Sequence, residues 1–232
     1  MKCACPPLYS LILAIVAFLT LSGCQSDTPV KETTILHANL FVRYIHPDQE
    51  YKAEVVFKEG DTLATAQPIP APGDVRFLER ILPANQLSDD LTRYDLRFRS
   101  AFQPEMPFVL PNLNGQNVPF TLQLDAVAQL NISPIISRET SFLFSCTPAD
   151  LQQDEMLILL FNDVDNRAAS ITIDGPADLS QLQLSGSELS QLAPGTGSVY
   201  AVKKKDGEQE VNGIITHWSI EYYSDERPVQ IQ

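Results

Sequence analysis

The sequence predicts an all-β protein of two tandem β-sandwich domains behind an apolar N-terminal leader. Three observations lead there. Apolar residues alternate with period two over several segments, as in strands with one buried face. Gly, Asn, Asp and Pro clusters punctuate those segments at short intervals. No stretch after the leader carries helical periodicity over a convincing length. The expected division is 1–23 leader, 24–34 polar tether, 35–134 first sandwich and 135–232 second sandwich.

Composition bounds the function. The chain has 232 residues, 44% of them hydrophobic, enough for buried cores. Its net charge is −13, and removing the leader takes away only Lys2, so the remainder is more acidic still. Nucleic acid is therefore not an expected partner, because phosphate backbones are bound by basic surface. There are four cysteines. Cys3 and Cys5 fall in the leader and Cys24 closes it, which leaves Cys146 alone, so no internal disulfide is expected in the mature chain.

The leader begins with Lys2 and runs apolar from Leu8 to Leu21. As a helix that run is about 21 Å long, short of a ~30 Å hydrocarbon core, so a permanent span is not expected. It ends in Leu21-Ser22-Gly23-Cys24, which resembles the lipobox of bacterial lipoproteins. The resemblance implies that the Cys24 thiol receives a diacylglyceryl group, that the chain is cleaved before it, and that the new amine is acylated. Two or three acyl chains hold a protein on a bilayer where one does so marginally. Gln25 is not the aspartate associated with inner-membrane retention, so the resemblance implies a lipid-anchored envelope protein of the outer membrane, its periplasmic or surface face left open. The tether, QSDTPVKETT, is polar and aperiodic. Asp27 there is similar to the acidic export signals of Bacteroidota lipoproteins, which the chain also resembles in size.

In the first expected domain, Leu36, Ala38, Leu40, Val42 and Tyr44 alternate along one strand, and Tyr51, Ala53, Val55 and Phe57 along the next. QPIPAPGD, 67–74, holds too many prolines for an interior strand and reads as an edge or loop. Between Thr92 and Phe102, Tyr94, Leu96 and Phe98 oppose Arg93, Asp95, Arg97 and Arg99. Arg93, Arg97 and Arg99 then share one face at about 6.6 Å per two residues. Such a ladder suits planar anions, and the alternative is a solvated face balanced by neighbouring carboxylates. The Asn114-Gly115 turn and the alternating Val118, Phe120, Leu122 and Leu124 complete this half.

The junction is placed at Ser133-Pro134, between strand-like runs. Phe142, Phe144 and Cys146 share a face, which makes Cys146 a small core residue. Met156–Phe161 is uniformly apolar, as in a central strand. SFLFSCTP followed by MLILLF resembles the second and third strands of a fibronectin type III or immunoglobulin-like sandwich, with Cys146 where that family carries tryptophan. LAPGT, 192–196, resembles the lead into its tyrosine corner, although the tyrosine, Tyr200, comes two positions late. Ser187–Leu192 is expected to make one helical turn. Asp206-Gly207 is expected to turn a hairpin that pairs Lys203, Lys204 and Lys205 with Glu210, Gln209 and Glu208. A bulge at Gly213 is then needed to set Tyr200 and Trp218 on one core.

No nucleophile elbow, zinc-protease, P-loop or dinucleotide motif occurs. The three histidines, His37, His46 and His217, are scattered in sequence. Asp163, Asp165 and Asn166, within Asn162–Asn166, set oxygens at alternate positions as at the start of a calcium loop; the competing reading is an Asx-rich hairpin turn. Beyond the covalent lipid on Cys24 and this calcium, no cofactor is expected. The expected function is a non-enzymatic, lipid-anchored envelope module that binds another envelope protein or an extracellular ligand. A narrower alternative is glycan binding by Trp218, Tyr222 or Tyr223. An alternative of another class is a hydrolase working through paired carboxylates.

Overall fold

Burial in β1 (Ile35–Ile45) and β2 (Glu50–Gly60) follows the sequence alternation except at His37, which is buried on the other face: Leu36, Ala38, Leu40, Val42 and Tyr44 stand beside Tyr51, Ala53, Val55 and Phe57 on the core side of one sheet. The computed structural model describes residues 34–232, which form one compact all-β unit. The leader, Cys24 and the tether up to Thr33 lie outside the described residues.

The remaining strands of the first half are β3 (Gln67–Ile69), β4 (Arg76–Phe77), β5 (Arg80–Ile81), β6 (Ala84–Ser88), β7 (Leu91–Arg99), β8 (Glu105–Pro111) and β9 (Asn117–Gln123). Those that follow are β10 (Gln129–Ile132), β11 (Ile135–Ile136), β12 (Phe142–Thr147), β13 (Asp150–Leu151), β14 (Glu155–Asn162), β15 (Ala168–Asp174), β16 (Ala177–Asp178), β17 (Leu182–Leu184), β18 (Gly195–Val211), β19 (Ile214–Tyr223) and β20 (Arg227–Ile231).

One sandwich sets the path β18-β19-β1-β2-β7-β6 against the sheet β5-β4-β8-β9. Aromatic contacts cross between the layers: Phe77 lies 5.6 Å from Tyr51 and 6.1 Å from Phe98, centroid to centroid, and 4.6 Å from its sheet neighbour Phe108. The proline-rich 67–74 segment supplies only β3, a three-residue edge on β2. The other sandwich sets β10-β12-β17 against β15-β14-β18-β20, with Phe142 edge-on to Phe161 at 6.1 Å. Strands β12 and β14 thus fall in opposite sheets, as do the second and third strands of an immunoglobulin-like sandwich.

The 134/135 division does not coincide with a break in pairing. β10, on its N-terminal side, pairs with β12, and at Ser133-Pro134 the chain passes from one sheet to the other, where β11 joins β20. β1 runs parallel to β19 over ten residue pairs, so strands of both halves share one sheet. The seventeen-residue β18 makes this possible. Its start pairs β20, its middle pairs β14, and from Val202 onward it pairs β19.

That register corrects the expected hairpin. Asp206-Gly207 lies inside β18, opposite Ser219 and Trp218, and the turn is Asn212-Gly213, with φ of 47° and 80°. Both dipeptides suit a primed turn. The choice falls on Asn212-Gly213 because Gly207 is required elsewhere: a Cβ there would stand 2.2 Å from Cζ2 of the Trp218 indole. Gly213 is accordingly a turn residue and no bulge, and Tyr200 and Trp218 occupy opposite faces, Tyr200 stacking on Tyr223 at 6.2 Å. The expected helical turn is a 3-10 turn at Gly186–Leu189, capped by Ser185.

Candidate functional site

The arginines of β7 lie on the open face of the larger sheet. Arg93 is held by Asp95 (Nε to Oδ1, 3.0 Å) and approached by Glu54 at 3.7 Å. Arg97 and Arg99 are exposed opposite Lys52 and Glu50, and among the described residues neither makes an ion pair. Further across the face, Lys52 pairs with Glu54 at 2.6 Å and Arg43 with Glu221 at 2.9 Å. The Arg43 guanidinium lies 5.3 Å from the Phe41 ring and 5.0 Å from that of Tyr223, so cationic groups cover surfaces on which a sugar would stack. Of the three aromatics considered for sugars, only Tyr223 lies on this face. Tyr222 is 1% exposed in the core, and Trp218 is packed against it.

Asp163 sits in the β14–β15 turn with its carboxylate engaged. Oδ1 accepts from the backbone N–H of Asp165 and Arg167 at 2.8 and 2.9 Å, and Oδ2 from Ala193 at 2.6 Å. The Ala193 bond first, then those from Arg167 and Asp165, hold its carboxyl below the usual range. Asp165 reaches out to Arg167 at 3.1 Å, and Asn166 takes the turn's positive φ of 60°. The geometry is that of an Asx turn which also ties down the 192–194 loop. Among the described residues, no three His, Cys, Asp or Glu side chains gather as metal ligands.

The fold brings together two histidines that look unrelated in sequence. His37 Nδ1 lies 3.3 Å from His217 Nε2, His37 Nε2 lies 3.1 Å from the Gly60 carbonyl, and His217 Nδ1 lies 3.0 Å from Glu208. His46 is 3.6 Å from Asp225, beside Ser224. The Ser224 hydroxyl accepts from Ala201 N–H at 2.9 Å and donates to the Asp225 carbonyl at 3.0 Å, so it closes a strand end and is not aligned on His46 as a nucleophile. No spacing rule in the sequence anticipates either cluster.

Lys203 and Glu155 form a buried ion pair, 3.0 Å apart with side chains 4% exposed. Glu155 also accepts from Gln152 N–H at 3.1 Å. Cys146 is buried in the core as expected; burial pushes its thiol up to about 11, against a smaller lowering by Lys203.

Concavities occur where the two halves meet. A hollow of about 290 Å³ has a floor of Phe102, Val127, Leu130 and Tyr222 and a rim that includes His46 and Arg227. Leu130 and Arg227 also line an adjoining hollow of about 460 Å³ between β10 and the start of β20. Here an apolar floor and exposed polar groups converge, the usual make-up of a ligand site.

No family model and no curated protein matches the chain. Among solved structures it is similar to dimeric latent PorU from Porphyromonas gingivalis, at 8% identity and a TM-score of 0.28, over 88% of this chain and 21% of that one. The chain spans about a fifth of that structure's length, and so low a score transfers neither fold nor activity.

Proposed function

We propose that the chain is a non-enzymatic, lipid-anchored protein of the bacterial outer membrane that binds another envelope component or an extracellular ligand where its two halves meet. The anchor is Cys24, supported by the lipobox-like Leu21-Ser22-Gly23-Cys24 and the polar tether after it. The observation that carries the binding role is the pair of hollows sharing Leu130 and Arg227, which combine apolar floor, strand edge and cation. Each buried acyl methylene adds about 0.8 kcal/mol, so a doubly or triply acylated Cys24 needs no help from the acidic body to stay on the bilayer.

The anchor is tested with Cys24→Ala: the wild type incorporates labelled fatty acid and fractionates with membranes, and the variant does neither. A variant that still takes up label overturns the anchor. For binding, a partner recovered from solubilised envelope by the wild type should be lost with Ala128→Trp, a substitution at an exposed residue that also lines the smaller hollow; repeated recovery of no partner counts against the role.

A further inference from the structure

We infer that the cleft between β10 and β20 binds an extended peptide carrying a carboxylate, added as a strand along the free edge of β10. The inference rests on the binding role above and names the chemistry of its ligand.

β10 pairs on one side only, with β12. Asn131 stands opposite Ser145, and the Ser133 N–H bonds the Leu143 carbonyl at 3.2 Å, so the odd-numbered positions exchange hydrogen bonds with β12. Antiparallel ladders alternate, and the backbone N–H and C=O of Leu130 and Ile132 therefore point away from it, toward the 460 Å³ hollow both residues line. The opposite wall is Arg227 and Pro228, where β20 is likewise open on one side, since β11 covers it only at Gln230 and Ile231. Two strand edges face one another with room between, and exposed edges are templates for a further strand.

Arg227 selects the charge. It is exposed, and among the described residues it forms no ion pair, in a chain whose net charge is −13. A guanidinium takes a carboxylate through two parallel bonds. Leu130 leads into the smaller hollow, whose floor of Phe102, Val127 and Tyr222 suits one apolar side chain. An extended peptide sends successive side chains to opposite faces, so a segment paired with β10 can place an apolar residue there and an acidic one beside Arg227.

The test uses the purified full chain in detergent and three labelled, end-blocked peptides: alternating Thr and Val with one Glu, the same with Lys for Glu, and the Glu peptide N-methylated at alternate residues. The Glu peptide should bind saturably and about tenfold or more tightly than the other two, and it should slow amide exchange at Leu130 and Ile132. Arg227→Glu, at an exposed position, should reverse the Glu over Lys preference. Absence of saturable binding, equal binding of the N-methylated peptide, or protection confined to other strands overturns the inference. Such failure leaves the wider role standing if Ala128→Trp still loses a recovered envelope partner, whereas loss of both results removes both.

Discussion

His37 and His217, 180 residues apart, meet nitrogen to nitrogen at 3.3 Å because β1 lies parallel to β19. Each outer nitrogen faces a group that can only accept: the Gly60 carbonyl for His37, the Glu208 carboxylate for His217. An outer nitrogen that carries a proton donates to its acceptor, and the tautomers decide which ring donates across the 3.3 Å contact.

Removing one ring leaves the other's inner nitrogen without a partner, and His37 is only 2% exposed. His217→Ala should cost about 1–3 kcal/mol. The double variant with His37→Ala should cost clearly less than the two single losses combined. Additive losses in denaturant titrations would show that the rings do not act as a unit.

Gly207→Ala puts a methyl into the Trp218 indole and should destabilise by about 1–3 kcal/mol. Trp218 is the only tryptophan, so its fluorescence reports the displacement directly. The emission should shift to the red in the folded variant, and Trp218→Leu in the same chain should restore part of the stability. An unshifted spectrum with wild-type stability contradicts the close approach.

The Lys203–Glu155 pair is a test of buried charge. Lys203→Met strands the Glu155 carboxylate and should cost about 3–5 kcal/mol. Adding Glu155→Gln removes the stranded charge and should recover much of that loss. If both variants unfold at the same denaturant concentration, the pair is not buried as described.

Asp163 couples stability to acid. Its folded carboxyl titrates below its unfolded value, so its contribution is complete above about pH 3.9 and is lost as pH falls through the lower folded value. Asp163→Asn should lower stability at neutral pH, and the difference from wild type should shrink only at strongly acidic pH. A difference constant down to pH 2 would remove the carboxylate from the account. Millimolar calcium should leave the melting temperature unchanged, since three backbone donors already occupy its oxygens.

Alkali acts in the opposite sense on Cys146 and Tyr51, whose buried groups are raised, mainly by burial, to about 11 and about 12. Their contributions are whole below the unfolded values and disappear as pH rises toward the folded ones. Stability should decline from about pH 8.5 upward. A thiol reagent at pH 8 should label Cys146 only as fast as the chain opens, and immediate labelling of native protein would place the thiol at the surface.

Strand faces were legible because alternation is local. Leu36 to Tyr44, Tyr51 to Phe57, Val118 to Leu124 and Phe142 to Cys146 all bury the side that period two assigns. The β4–β5 hairpin carries no local mark, because its turn residues, Leu78 and Glu79, adopt φ of 47° and 64° with no Gly or Asn between the strands. Among the candidate sites, the arginines could be assigned to one strand face, but their neighbours Glu54 and Lys52 come from β2. The hollows at Leu130 and Arg227 had no local signal at all, since their walls come from strands nearly a hundred residues apart.

By itself the sequence determined an all-β chain, which side of most strands is buried, and a buried Cys146, because these depend on the two-residue repeat and on hydrophobic burial. Only the tertiary structure decided that β1 pairs with β19, that Asn212-Gly213 turns while Asp206-Gly207 lies flat beneath Trp218, and that His37 meets His217. Each of these depends on which strand edges meet and how large side chains fit across them, and edges carry identical backbone groups that leave no mark on a local pattern.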